Sequence, residues 1–268
     1  MTDGDISLGP SAPKQQQLLA TLALALGHVV TMSGLIDELW CGVPPRSAVT
    51  AVQTYVLGLR SLMASRRGAV SRRMDPKKIL ITSRGGYRLD LGTGTVDADL
   101  FERAVDLGCQ RLSEGHYAEA SGIFRSGLRM WRGPALDGVP LGPRLALEVA
   151  RLDELRLTAM EGQIEAELHT GRHRQVLSRL KHLTENHSLH EGFHAQLMLA
   201  LHRMGRRGQA LEVFTRLRTA LRDELGIEPM PELQDLQQEI LRGSAEKRWA
   251  TVGVVGRSGD MTVISRAG

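Results

Sequence analysis

The sequence predicts an α+β winged helix-turn-helix domain at the N-terminus, followed by an all-α, tetratricopeptide-like domain. Three observations carry that expectation. Residues 46–60, RSAVTAVQTYVLGLR, form a two-faced helical stretch directly after a Pro-Pro turn. Residues 79–91, ILITSRGGYRLDL, read as two short strands around Arg84-Gly85-Gly86. In the second half, three glycine-led segments repeat one spacing of small and large apolar residues.

The elements follow in order. KQQQLLATLALALGHVV predicts an apolar helix from Lys14 to about Leu26, with Gly27-His28 as its stop. Thr31 or Ser33 caps a second helix carrying Leu35, Ile36, Leu39 and Trp40. The turn CGVPP leads into a third helix at 46–64. There Val49, Val52, Val56, Leu59 and Met63 recur at helical spacing as an apolar stripe. Ser47, Thr50 and Thr54 sit opposite, with Arg46, Gln53 and Arg60 on the flank. Small polar residues let a helix approach base edges in the major groove, and arginine and glutamine supply donors to bases and phosphates. Thr50, Gln53 and Thr54 are therefore expected at bases. Arg46, Ser47 and Arg60 are expected at phosphates or flanking edges. An ordinary amphipathic surface helix would show the same face, so the neighbours decide. Three tightly connected helices make a helix-turn-helix unit whose last helix enters the groove.

Arg66, Arg67, Arg72, Arg73, Lys77 and Lys78 then form a basic connection to the hairpin. Gly-Gly permits the positive φ of a tight hairpin turn. This hairpin is the expected wing, with Arg84 placed for the minor groove or a phosphate. Tyr87 sits at its base, where an aromatic packs in the core or touches the DNA backbone. Charge follows the same division. Residues 1–96 hold 11 Lys and Arg against 6 Asp and Glu, residues 97–242 hold 19 against 22, and the last 26 hold 4 against 2. The positive excess surrounds the candidate helix and wing, as attraction to phosphates requires.

A chain of 268 residues suits two modest domains. No uninterrupted apolar run reaches membrane-span length and no signal peptide is evident, so a cytoplasmic, nucleoid-associated protein without a membrane partner is expected. Cys41 and Cys109 stand far apart and are expected to be reduced packing residues.

The winged domain is assigned to 1–91 and a Gly/Thr-rich linker to 92–96. A helical domain covers 97–242, with Asp99-Leu-Phe-Glu102 as the capping box that opens it. Its repeats begin at Gly115, Gly171 and Gly205. Ala120, Val176 and Ala210 fall five residues after each glycine, and Phe124, Leu180 and Phe214 nine after. The step from Gly171 to Gly205 is 34 residues, the tetratricopeptide period. The first step is 56, lengthened by the Gly/Pro-rich stretch around 131–143. Gly226 stops a helix, Pro229 and Pro231 break the chain, and a last helix covers 232–242. Residues 243–268 lose helical period and read as a flexible tail, in which TVGVV is a strand without an obvious partner.

His190-Glu191-Gly192-Phe193-His194 satisfies H-E-x-x-H, a zinc-hydrolase pattern when it lies on a helix. Gly192 weakens the helix, the segment lies inside a repeat and no third ligand stands out. A polar helix face is expected there, with no metal, no cofactor and no enzyme activity.

Over about 5–242 the chain resembles the Streptomyces antibiotic regulatory proteins. LIDELWCGVPPRSAVTAVQTYVLGLR, GGYRL, DADLF, WRGPAL, GRH, QLMLALHRMGRRGQAL and ELGIEP follow in the family's order. The resemblance implies an activator of an antibiotic biosynthetic gene cluster. It implies binding to direct repeats in double-stranded promoter DNA near the −35 element, as a side-by-side dimer. It also implies contact with RNA polymerase holoenzyme, through its sigma and alpha or beta subunits. Arg203, Arg206 and Arg207 are candidate partner-facing residues, although a plain solvated face has the same composition. The family usually begins with several strands, whereas about GDISLGPSAP precedes Lys14, so either a truncated start or a reduced N-terminal sheet is expected. No G-x-x-x-x-G-K-[ST] is present, so no ATP site is expected. The contrasting reading is a tetratricopeptide-like interaction scaffold without DNA binding. It gives no purpose to the 46–64 helix or the basic wing.

Overall fold

A computed structural model describes residues 2–3, 6–7, 9–65 and 75–243. The basic residues Arg66, Arg67, Arg72 and Arg73, and the tail from 244 onward, lie outside the described residues. The chain divides into two compact units. The first runs through Phe101 and takes in Trp131–Glu154; the second comprises Glu102–Met130 and the chain from Leu155 onward.

The first unit opens with β1 (Thr2–Asp3) and β2 (Ile6–Ser7), an antiparallel pair of two residues each. Helix α1 (Pro13–Leu24) has proline in its first turn, where the missing N–H costs nothing. β3 (Val30–Thr31) leads into α2 (Met32–Trp40), whose cap is Thr31: its hydroxyl accepts the Gly34 amide at 3.1 Å. Helix α3 (Ala48–Ser65) follows the Pro-Pro turn and α4 (Pro76–Ile79) follows an Asp75 cap. β4 (Leu80–Ser83) and β5 (Gly86–Leu89) form the hairpin. β5 is the central strand of an antiparallel sheet ordered β3-β5-β4. β3 carries no sequence signal of its own, because two residues cannot show an alternation. Leu18 and Leu22 of α1, Leu35 and Leu39 of α2, Val52, Val56 and Leu59 of α3, and Leu80, Tyr87 and Leu89 of the sheet share one buried core.

The two wing glycines do different jobs. Gly85 takes φ 84° in the hairpin turn. Gly86 lies against β3, where an added Cβ would come within 2.0 Å of the Val30 carbonyl oxygen.

The remaining helices are α5 (Asp97–Ser113), α6 (Tyr117–Leu128), α7 (Pro143–His169), α8 (His173–Asn186), α9 (Glu191–Arg203), α10 (Arg207–Leu225) and α11 (Pro231–Arg242). Helix α5 starts at Asp97, two residues before the expected capping box, and Asp99 instead adds negative charge to its first turn. In the first unit Phe101 meets Trp131 edge-on, with ring centroids 5.4 Å apart.

In the second unit the repeats are real at the level of hydrogen bonds. Gly115, Gly171 and Gly205 all have φ between 74° and 80°. Each is followed by an amide that reaches back five residues: His116 to Arg111, Arg172 to Glu167 and Arg206 to Leu201, all at 2.9 Å. This is the left-handed helix stop in which glycine avoids the Cβ penalty. Ala120, Val176 and Ala210 are fully buried, and Phe124, Leu180 and Phe214 are nearly so. Phe124 packs where a Cβ on Gly108 or Gly162 would come within 2.7 or 2.5 Å of its ring.

Candidate nucleic-acid interface

Helix α3 presents two faces of opposite character. Val52, Val56 and Leu59 are at most 1% exposed, and Ala48 covers the core in the first turn. Val49 is a correction to the predicted stripe. It is 47% exposed in the first turn of the helix. Met63 packs against the core as expected. Arg46 and Ser47 lie in the turn before the helix, which begins at Ala48, and both are exposed. Thr50, Gln53 and Thr54 are exposed on the outer face. Thr54 Oγ1 donates to the Thr50 carbonyl at 2.9 Å, so its hydroxyl hydrogen is engaged inside its own helix.

Arg60, expected at a phosphate or a flanking edge, is engaged within the unit. Its Nε and Nη2 donate to the Leu80 carbonyl at 3.0 and 2.6 Å, and Nη2 reaches Thr82 Oγ1 at 2.9 Å. These bonds fasten α3 to β4, the first wing strand. The wing turn is fastened a second time by the Met32 amide, which donates to the Gly85 carbonyl at 2.8 Å. Arg84 stands exposed in that turn, as do Lys77 and Lys78 of α4. Of the two places open to Tyr87, the structure shows the core: at 7% exposed it packs beneath the wing. The unit thus offers outward Arg46 and Ser47 from the turn before α3, Thr50, Gln53 and Thr54 from α3, and Arg84 from the wing. Two residues that sequence reasoning missed are Leu57, 64% exposed on α3, and Glu38, a buried carboxylate on α2.

The other candidates resolve as structure. His190 caps α9 from outside the helix, accepting the Phe193 amide at 3.4 Å and stacking on the Phe193 ring at 4.2 Å. Glu191 accepts the Met230 amide at 2.7 Å, and His194 is buried. The H-E-x-x-H pattern therefore does not place two histidines on one helical face. Among the described residues no group of three or more His, Cys, Asp or Glu could hold a metal ion. Arg203 is not a free surface residue. Its Nη1 donates to the Leu168 carbonyl at 3.0 Å, at the end of α7. Arg207 likewise reaches the Leu241 carbonyl near the end of α11, and Arg206 is exposed. Cys41 is exposed and adopts φ 50° at the end of α2, so it is not a packing residue; Cys109 is half-buried, and both are free thiols. A small cavity in the second unit is lined by Glu161, Glu165, His169, Gln196 and Arg203 among others. Burial, with Glu161 nearby, pushes the Glu165 carboxyl up to about 7. Among the described residues no helix is long and apolar enough to cross a membrane.

A three-helix unit with a hairpin fastened to its last helix, joined to glycine-stopped helical repeats, defines a winged-helix regulator. Comparison with known proteins places it. Residues 96–241 match the family model "Bacterial transcriptional activator domain". The chain is 45% identical to the regulatory protein DnrI of Streptomyces peucetius, over 88% of this chain and 86% of that protein. It is 36% identical to the transcriptional regulator RedD of Streptomyces coelicolor, over 87% of this chain and 65% of that one. The solved structure of Mycobacterium tuberculosis EmbR, in complex with a low affinity phosphopeptide, superposes with a TM-score of 0.81 at 32% identity. That match covers 88% of this chain and 60% of the EmbR chain. The chain belongs to the Streptomyces antibiotic regulatory protein family of transcriptional regulators, and carries that family's bacterial transcriptional activator domain. The family is non-enzymatic.

Proposed function

We propose that this protein activates transcription of a secondary-metabolite gene cluster by binding tandem half-sites near the −35 element of a promoter. The observation that carries this is the outer face of α3, set beside a wing whose position Arg60 fixes through Leu80 and Thr82. Thr50 and Gln53 meet base edges, Arg46 and Ser47 meet phosphates, and Arg84 enters the minor groove or holds a phosphate. Arg60 is a positioning residue. The family likeness supports the promoter context.

One winged helix reads a short site, and one half-site holds it weakly. Two protomers on adjacent repeats, about one helical turn apart, lie side by side on one face of the duplex and bind more tightly together. The helical repeats supply the surface that joins the protomers and recruits RNA polymerase holoenzyme, through its sigma and alpha or beta subunits. The protein acts in the cytoplasm, at the nucleoid. The test inserts about 5 and then about 10 base pairs between the half-sites. Binding and transcription should fall with the half-turn insertion and return in part with the full turn. Equal activity at every spacing would contradict the side-by-side arrangement.

A further inference from the structure

The outer face of α3 has an apolar centre. At about 100° per residue, Leu57 lies within about 40° of Gln53 and about 20° of Thr50 around the helix, and at least about 100° from Val52, Val56 and Leu59. It is 64% exposed, one turn beyond Gln53 on the face assigned to base edges. One helical turn away, Thr54 has its hydroxyl hydrogen tied to the Thr50 carbonyl. What Thr54 retains outward is an acceptor and a methyl group. Gln53 is thus the outer residue here with two free amide donors, and its neighbour Leu57 offers carbon alone.

A single exposed leucine is ordinary on a protein surface. In a helix that enters the major groove it is not neutral, because the groove desolvates whatever faces it. Phosphates, and the polar edges of guanine, cytosine and adenine, would lose hydration against Leu57 without recompense. Thymine presents a C5 methyl in the major groove, the apolar feature among the base edges. Exposed Arg46, Arg84, Lys77 and Lys78 in the same unit add the positive charge that a polyanion requires.

We infer that Leu57, with the Thr54 methyl beside it, reads the C5 methyl of a thymine in each half-site. This rests on the DNA-reading role proposed above for α3. Leu57 follows Gln53 by about 6 Å along the helix axis, so the thymine lies within about two base pairs of the base that Gln53 meets.

The test begins with duplexes recovered by the full chain from a randomised library. Each thymine of a recovered half-site is then replaced, one at a time, by deoxyuridine, which pairs identically and lacks only the methyl. Wild type should bind one such duplex about fourfold more weakly, the factor for losing burial of one methyl group. Leu57→Ala should bind the thymine duplex more weakly and lose its sensitivity to uracil at that position, whereas Gln53→Ala should keep it. Leu57 is exposed, so its thermal unfolding should match wild type. The inference is overturned if no position is sensitive, or if Leu57→Ala responds to uracil as wild type does. A library that yields no duplex at all would overturn the DNA-reading role itself, and this inference with it.

Discussion

The carboxylate of Glu38, on α2, accepts the amide of Gly142 at 2.8 Å across 104 residues of chain. It also accepts the Arg144 amide at 2.7 Å and the Leu145 amide at 3.3 Å. Glu38 is only 2% exposed and thus serves as a cap in trans for the first turn of α7. Gly142 is required by close approach: a Cβ there would lie 2.1 Å from the Glu38 carbonyl oxygen. Glu38→Ala should lower stability by roughly 2–3 kcal/mol, since it strands buried donors. Gly142→Ala should lower it by roughly 1–3 kcal/mol through overcrowding. Urea unfolding of the full chain measures both, and the double variant should cost less than the sum of the single ones.

Arg60 and Arg46 should separate cleanly in salt titrations of DNA binding. If Arg46 holds a phosphate, as proposed, Arg46→Ala should reduce the slope of log affinity against log salt by about one unit. Arg60→Ala removes the bonds to Leu80 and Thr82, so it should weaken binding by loosening the wing while leaving the slope unchanged. Arg60→Lys should not rescue it, because an ammonium lacks the planar fork that holds two acceptors at once. A slope change for Arg60→Ala would show that its guanidinium meets a phosphate.

Phe124 should tolerate almost no added volume beneath it. Gly162→Ala places a methyl within 2.5 Å of its ring, and Gly108→Ala within 2.7 Å. Each should destabilise the second unit by roughly 1–3 kcal/mol. Pairing Gly162→Ala with Phe124→Leu should recover part of the loss, as read by thermal unfolding.

Two buried groups give stability opposite pH dependences. Burial first, and then the charges of His190 and Arg216, push the His194 ring down from 6.5 to about 4. The folded state keeps it neutral while the unfolded chain takes up a proton. Its contribution is therefore present above about pH 6.5 and lost as pH falls toward 4. Glu165 is pushed up from 4.5 to about 7. Its contribution is present below about pH 4.5 and lost as pH rises toward 7. Glu165→Gln should thus raise stability at pH 8 relative to its effect at pH 5, by on the order of 2 kcal/mol. His194→Gln should flatten the acid limb. Denaturant midpoints at the two pH values decide, and an identical effect of Glu165→Gln at both would contradict the assignment.

Much of this was legible in the sequence because it is local. Helical period located α3, the Arg84-Gly85 turn located the wing, and the glycine spacing located the repeats. The misses come from long-range contact. No local pattern tells that Glu38 will meet Gly142, or that β3 will pair with β5. Arg60 has the composition of a phosphate ligand, yet Leu80 and Thr82 occupy it from 20 and 22 residues away. Arg203 is likewise taken by Leu168. Val49 shows the limit of the periodic argument: spacing places it inside, yet it is 47% exposed.

The most direct test of the α3 account is the base preference of Gln53→Ala, on a duplex recovered by the full chain and varied one base pair at a time. Gln53 is exposed, so the thermal unfolding of the variant should match wild type. The account predicts that wild type discriminates at one position by roughly 1–3 kcal/mol, and that Gln53→Ala levels the four base pairs there while keeping the salt slope. An unchanged preference at every position would contradict the assignment of α3 as the element that reads the DNA.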